Sequence, residues 1–481
     1  MKLKKVFLHL GLLGIFVIIS LTISINKSIW RDEAFSILIS RKSPFEIIQS
    51  SAADVSPPLF YFLLNFWQKI GGTKTLVLRG LPLLFSLATL TLLYAIKPFI
   101  FRVIEKVSKS KIGKIEDFTY LAVITLNAGL IYFSAELRSY SLLMFLVLGS
   151  LSLLYLNWLN TRKLWWVLLT LVNIAILYTH NLGLIWLGSQ AIAVIALGIL
   201  LRSFKNLPKM MLSLGISLLA FSPWFSILFS QVSLFKGSGW IEFGKVRSLE
   251  EYWGMYAVNE GVIKNILLYE WFFRISRLLT FLGGLAIVER YKKLKLGLLT
   301  FVGVAVGIYF ASMYVTPILY SRYLSFLIPL TVLGAFLGLM TLKQFSIKGF
   351  YIILATYLIL NSLIIKEYIL RPSKTNYAFI KELAQGPIYT DEVLDVTPCV
   401  YYSSQCYFVG EISETPRHIG PAQLVTLPHI SSWEKVKHDN IFVLGRDGLS
   451  EKGQEALLKL AYKKVESVSL GDGVVLAKYQ K

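Results

Sequence analysis

The chain is 481 residues long, 55% hydrophobic and only 16% charged, with a mean hydropathy of +0.62. That balance excludes an ordinary soluble domain, which needs far more polar surface. The formal charge of +21, from 49 basic against 28 acidic residues, falls largely in short connections between apolar runs, so it points to lipid headgroups and away from nucleic acid as a partner.

Apolar runs of roughly 20 residues recur along the chain, each long enough to cross a hydrocarbon core of about 30 Å. They do not alternate apolar with polar residues, so helices are expected and a barrel is not. The expected fold class is an all-α polytopic membrane protein of about 11 transmembrane helices, residues 1–367, with a small C-terminal extracytoplasmic α/β domain, residues 368–481.

The first crossing, near residues 6–25, follows Lys2, Lys4 and Lys5, which places the N-terminus in the cytoplasm and residues 26–75 outside. The run is long for a cleaved signal peptide and lacks an Ala-x-Ala site. The second, near 76–96, exits at Arg102, Lys106, Lys109, Lys111 and Lys114. The third, 118–134, and the fourth, 140–159, meet in an outer turn. The fifth ends outside at Tyr178-Thr-His-Asn181, and the sixth returns to Arg202, Lys205 and Lys209. The seventh ends near Pro223-Trp224 and opens a long outer loop to about residue 265. The eighth comes in to Arg290, Lys292, Lys293 and Lys295, the ninth emerges at 314–320, and the tenth returns to Lys343 and Lys348. The eleventh, 349–365, delivers the tail outside.

In the tail, segments 386–390, 423–427 and 441–444 read as strands, 454–464 as an amphipathic helix, and Gly471-Asp-Gly473 as a turn between two final strands. Cys399 and Cys406 are the only cysteines; on the outer side they can form a disulfide or stay as free thiols, and two are too few for a metal framework.

Ionisable residues gather at the outer span ends, where they are functional candidates by default. Asp32, Glu33 and Asp54 lie in the first outer loop, Glu136 and Arg138 in the next turn, and His180 after the fifth span. Glu270, Arg274 and Arg277 occupy the outer half of the eighth span, and Arg322 opens the tenth. Acids and bases on one rim suit an anionic lipid headgroup beside a general base. Simpler roles stay open: Glu270 and Arg274 are spaced to pair along a helix, Arg277 and Arg322 can snorkel to lipid phosphate, and His180 can be an interfacial hydrogen-bonding residue. Gly303-xxx-Gly307 and Gly334-xxx-Gly338 read as helix-packing faces. No internal repeat is visible, which weighs against a transporter or flippase of lipid-linked sugars, the alternative class.

The segment Asp54-Val-Ser-Pro-Pro-Leu-Phe-Tyr61, coming after the acidic pair Asp32-Glu33, resembles the GT-C glycosyltransferases of the protein O-mannosyltransferase and lipid A aminoarabinose transferase type. Leu78-Arg-Gly-Leu-Pro82, Ala135-Glu-Leu-Arg-Ser-Tyr140, Tyr178-Thr-His-Asn-Leu-Gly183, Ser222-Pro-Trp224 and Ser321-Arg-Tyr323 follow in the same order, so the likeness covers roughly residues 25–330. The resemblance implies transfer of a sugar from a polyprenyl-phosphate donor to a lipid, glycan or protein acceptor on the outer face, with inversion. By that likeness Asp32 is the general base and Glu33 completes the acidic pair. Asp54 and Glu136 belong near the acceptor or a metal, and Arg138, His180, Arg274 and Arg322 near the donor phosphate. No cofactor is required by the likeness, although Asp32, Glu33, Asp54 and Glu136 could hold a divalent ion. Some relatives carry lysine near the position of His180, which is a departure.

Overall fold

The computed structural model describes residues 2–108, 111–159, 162–237, 249–257, 262–291, 294–316, 318–371, 373, 375–410, 428–446 and 450–481. In chain order its helices begin with α1 (Lys2–Asn26), followed by α2 (Arg31–Ser40), α3 (Pro44–Ala53) and α4 (Leu59–Gly71) in the connection after it. Next come α5 (Thr75–Ser108), α6 (Lys114–Thr125), α7 (Ala128–Ser134), α8 (Tyr140–Leu159), α9 (Lys163–Thr179), α10 (Gly183–Leu200), α11 (Leu207–Phe221) and α12 (Phe225–Gly237). The last long helices are α13 (Ile266–Glu289), α14 (Lys295–Tyr314), α15 (Ile328–Phe345) and α16 (Ile347–Leu370).

Among the described residues, nine helical segments are long and apolar enough to cross a membrane. The pair α6–α7, bent by 41°, and the 17-residue α9 fill the two remaining predicted positions. The chain is a polytopic membrane protein. The third crossing breaks because Asn127 caps α7, its side chain accepting from the Leu130 N–H at 3.0 Å, while Asn361 Oδ1 takes the Ala128 N–H at 3.0 Å. The seventh does not stop at Pro223-Trp224: its apolar helix runs on as Leu207–Ser233. Pro223 sits in the first turn of a short 3₁₀ segment, Ser222–Trp224, where it has no intrahelical N–H to lose.

The chain forms two compact units. The first takes the described residues of Met1–Ser24, Arg79–Ser226 and Ile241–Leu370. Small residues let its helices meet closely. A Cβ on Gly338 of α15 would collide with the Leu279 carbonyl of α13, and one on Gly283 of α13 with the Gly334 carbonyl of α15. On α14, a Cβ on Gly307 would stand 2.8 Å from Ile185 and one on Gly303 3.1 Å from Ser189, both on α10. Both small-xxx-small motifs are therefore packing faces. Buried polar side chains find partners across helices: Ser150 donates to Asn173 at 2.7 Å and accepts from Gln190 at 2.8 Å, as groups without water must.

The second unit takes the described residues of Ile25–Leu78, Ile227–Trp240 and Arg371–Lys481, so the segment that holds α2–α4 packs with the tail. Its further elements are α17 (Ile380–Leu383), β1 (Ile388–Thr390), α18 (Val393–Tyr402), β2 (Cys406–Val409), β3 (His429–Ile430), β4 (Asn440–Arg446), α19 (Glu451–Lys459), β5 (Lys463–Gly471) and β6 (Val474–Gln480). The sheet order is β3-β2-β1-β4-β6-β5. β1 is parallel to β2 and β4, β2 is parallel to β3, and the final hairpin is antiparallel. Its turn is Asp472-Gly473, both at positive φ (54° and 74°), the conformation of a two-residue hairpin loop. A Cys399–Cys406 disulfide ties α18 to β2. The expected strand at 423–427 lies outside the described residues. The amphipathic helix runs 451–459 and not 454–464: Ser450 caps its start, and Ala461 at φ 64° ends it with a Tyr462 N–H to Leu457 carbonyl bond of 2.9 Å.

Candidate active site

In the second unit Asp32 and Glu33 occupy the first turn of α2, where two carboxylates favour the positive end of the helix dipole. Successive helical residues project about 100° apart, and the consequence here is a division: Glu33 is fully buried while Asp32 is partly exposed. The Ser36 hydroxyl donates to the Asp32 carbonyl at 2.9 Å. Asp54 is buried at the C-cap of α3, its N–H bonded to Ser50 O at 3.1 Å. Pro58 stands at the N-cap of α4, so Pro57-Pro58 ends one helix and starts another.

In the first unit Glu136 and Arg138 lie in the irregular turn between α7 and α8, with Glu136 buried and the Arg138 N–H bonded to the Glu136 carbonyl at 2.8 Å. His180 is the C-cap of α9. Burial, and then the nearby Arg138 charge, lower its imidazole to about 4. Its Nδ1 accepts the Leu182 N–H at 3.2 Å, so the ring is neutral at pH 7 and the permanent charge beside it is Arg138. The His180 ring meets Tyr323 edge-on at 5.7 Å, Tyr323 meets Tyr320 at 5.7 Å, and Arg322 stacks on Tyr320 at 5.1 Å. Arg138, His180 and Arg322 thus belong to one aromatic-lined group. Arg274 instead pairs with Glu270 at 3.4 Å on an exposed face of α13 and stacks on Trp271.

Several residues went unnoticed in the sequence. Glu251 accepts from the Ser321 N–H at 2.7 Å and from its hydroxyl, pinning the turn that carries Arg322. No local motif marks it, because the partner is 70 residues away. In the second unit Arg31, Tyr377, Asp395 and Asp472 gather beside α2. Asp395 lies on α18, which has Pro398 inside it.

Among the described residues no three His, Cys, Asp or Glu side chains come together as ion ligands. Asp32, Glu33 and Asp54 of the second unit do not form such a group. The first unit also holds an apolar cavity of about 1000 Å³ walled by α5, α8, α13, α14 and α15. Arg102, Tyr256 and Arg277 are among the residues that line it.

The fold is that of ArnT from Cupriavidus metallidurans. The structure of that protein bound to undecaprenyl phosphate aligns with a TM-score of 0.60 at 14% identity over 99% of this chain and 98% of that one. Its apo structure aligns with a TM-score of 0.60 at 12% identity over the same shares. No protein-family model matches the chain, and no curated protein matches it in sequence. The likeness to ArnT is one of fold and runs over nearly the whole length of both chains.

Proposed function

We propose that this membrane protein is a glycosyltransferase that moves a sugar from a polyprenyl-phosphate donor to a lipid, glycan or protein acceptor at the extracytoplasmic face. The full-length likeness to ArnT, solved with undecaprenyl phosphate bound, carries the reading. The apolar cavity supports it, because a polyprenyl chain stays in the bilayer and needs an apolar wall with a cation in its lining, here Arg277.

Asp32 is the base, since of the acidic pair it alone reaches solvent. Its carboxylate takes the proton of an acceptor hydroxyl, whose oxygen attacks the anomeric carbon as the bond from that carbon to the phosphate oxygen breaks. The configuration inverts and the electron pair leaves on the polyprenyl phosphate. Glu33, fully buried, completes the acidic pair. Arg138 and Arg322 supply fixed positive charge for the departing phosphate, and neutral His180 offers an Nε2–H donor. No step here is routed through a divalent ion. The N-terminus lies in the cytoplasm and the tail outside, as the basic connections require.

The test uses purified protein, undecaprenyl phosphate carrying radiolabelled hexoses or pentoses, and cell-envelope extract as acceptor. The wild type transfers label from at least one donor, and Asp32→Asn lowers that rate by about 10²- to 10⁴-fold while still binding undecaprenyl phosphate. No transfer from any donor by the wild type overturns the reading; undiminished transfer by Asp32→Asn overturns the role of Asp32.

A further inference from the structure

The helix that carries Asp32 does not secure its own start. Trp30 is its N-cap and makes no side-chain capping hydrogen bond, an indole having no acceptor to give. The tail supplies the hold instead, in three layers. The Ser28 N–H donates to Ser373 Oγ at 2.6 Å, and the Ala378 N–H donates to Ser28 Oγ at 3.1 Å. Tyr402 Oη accepts the Ile29 N–H at 2.7 Å, and Thr397 Oγ1 donates to the Arg31 carbonyl at 3.4 Å.

The third layer is charged. Arg31 Nε lies 3.8 Å from Asp395 Oδ1, and its Nη2 lies 3.9 Å from Asp472 Oδ2. Asp395 is fully buried and accepts from the Tyr377 hydroxyl at 2.6 Å. Asp472 is fixed by its positive-φ hairpin turn. A buried carboxylate is kept only with partners, and the partners of this one include the residue immediately before Asp32.

We propose that Asp395, with Asp472, is a positioning residue for sugar transfer: by clamping Arg31 from the tail it sets the first turn of α2 and so the direction of the Asp32 carboxylate. The α/β tail is then part of the catalytic apparatus without touching the reacting atoms. A base displaced by about 1 Å can lose about 10²-fold in rate, so a remote clamp has leverage on kcat and little on donor affinity.

The inference rests on Asp32 being the base, and the same transfer assay separates the two. Asp395→Asn keeps the shape and the acceptor for Tyr377 but removes the charge on Arg31. It should lower kcat by about 10- to 100-fold with KM for the labelled undecaprenyl-phosphate sugar within about twofold. Asp472→Asn, at a half-exposed turn, should lower kcat in the same sense by less, which keeps the test informative if the buried variant folds poorly. In an Arg31→Gln background, Asp395→Asn should have no further effect on kcat, because both act through one side chain. Wild-type kcat in Asp395→Asn and Asp472→Asn, or additive losses with Arg31→Gln, overturns the clamp while a dead Asp32→Asn keeps the base. Full transfer by Asp32→Asn overturns the base itself.

Discussion

In the membrane unit α13 and α15 touch backbone to backbone, with glycine at each meeting point. In the second unit α2 is held by ion pairs, a tyrosine hydroxyl and serine oxygens, next to a helix stapled by a disulfide. The contrast follows from the surroundings. Lipid tails are as apolar as leucine, so helices there gain from close fit and from pairing every polar group. Where water competes, directional polar contacts and covalent links specify a position that dispersion alone leaves loose. Precision in the first unit lies in shape, and in the second it lies in chemistry.

Perturbing each unit in its own currency tests this division. Gly338→Leu should have the largest effect, leaving no monodisperse protein on size-exclusion chromatography in detergent, because the side chain must enter the Leu279 backbone. Gly188→Leu, at a helical glycine with nothing within 4 Å of its Cβ position, should be tolerated; equal damage at both would dissolve the claim of a shape-critical contact. Replacing Cys399 and Cys406 by serine opens a short loop and should lower stability by about 2–3 kcal/mol, read as a lower thermal midpoint with the membrane helices intact by circular dichroism.

His180 gives a smaller, pH-dependent effect. Its imidazole titrates at about 4 in the folded chain and at 6.5 in its ordinary state. The unfolded chain binds the extra proton first as pH falls, so the stabilisation is complete above about pH 6.5 and is lost toward about pH 4. His180→Gln should flatten that acid limb of thermal stability, and an unchanged limb would assign it to other groups. Gln190→Leu should have the smallest effect, about 0.6 kcal/mol, as for other interhelical hydrogen bonds in membranes; a loss several times larger would make the membrane unit depend on polar chemistry as the tail does.

Much of this was legible from local signals. The positions of the crossings follow from run length and basic connections, and both glycine motifs act as their spacing suggests. The final hairpin was marked by Gly471-Asp-Gly473. One miss has a local cause: Pro223 reads as a stop unless it falls in a first turn. Arg274 pairs with Glu270 one turn away, the alternative that their spacing left open.

What the amino-acid order determined alone is everything set by hydrophobic run length and neighbouring residues: a helical membrane protein, a hairpin-ended tail, an acidic pair beside Pro57-Pro58. Burial on a helix and contacts between distant segments were decided only by the tertiary structure. The division of Asp32 from Glu33, the neutral state of His180, and the clamp from Asp395 to Arg31 each need a partner or a wall brought from elsewhere in the chain. The 364 positions separating Arg31 from Asp395 carry no periodicity that pairs them, and only the folded backbone brings that carboxylate to that guanidinium.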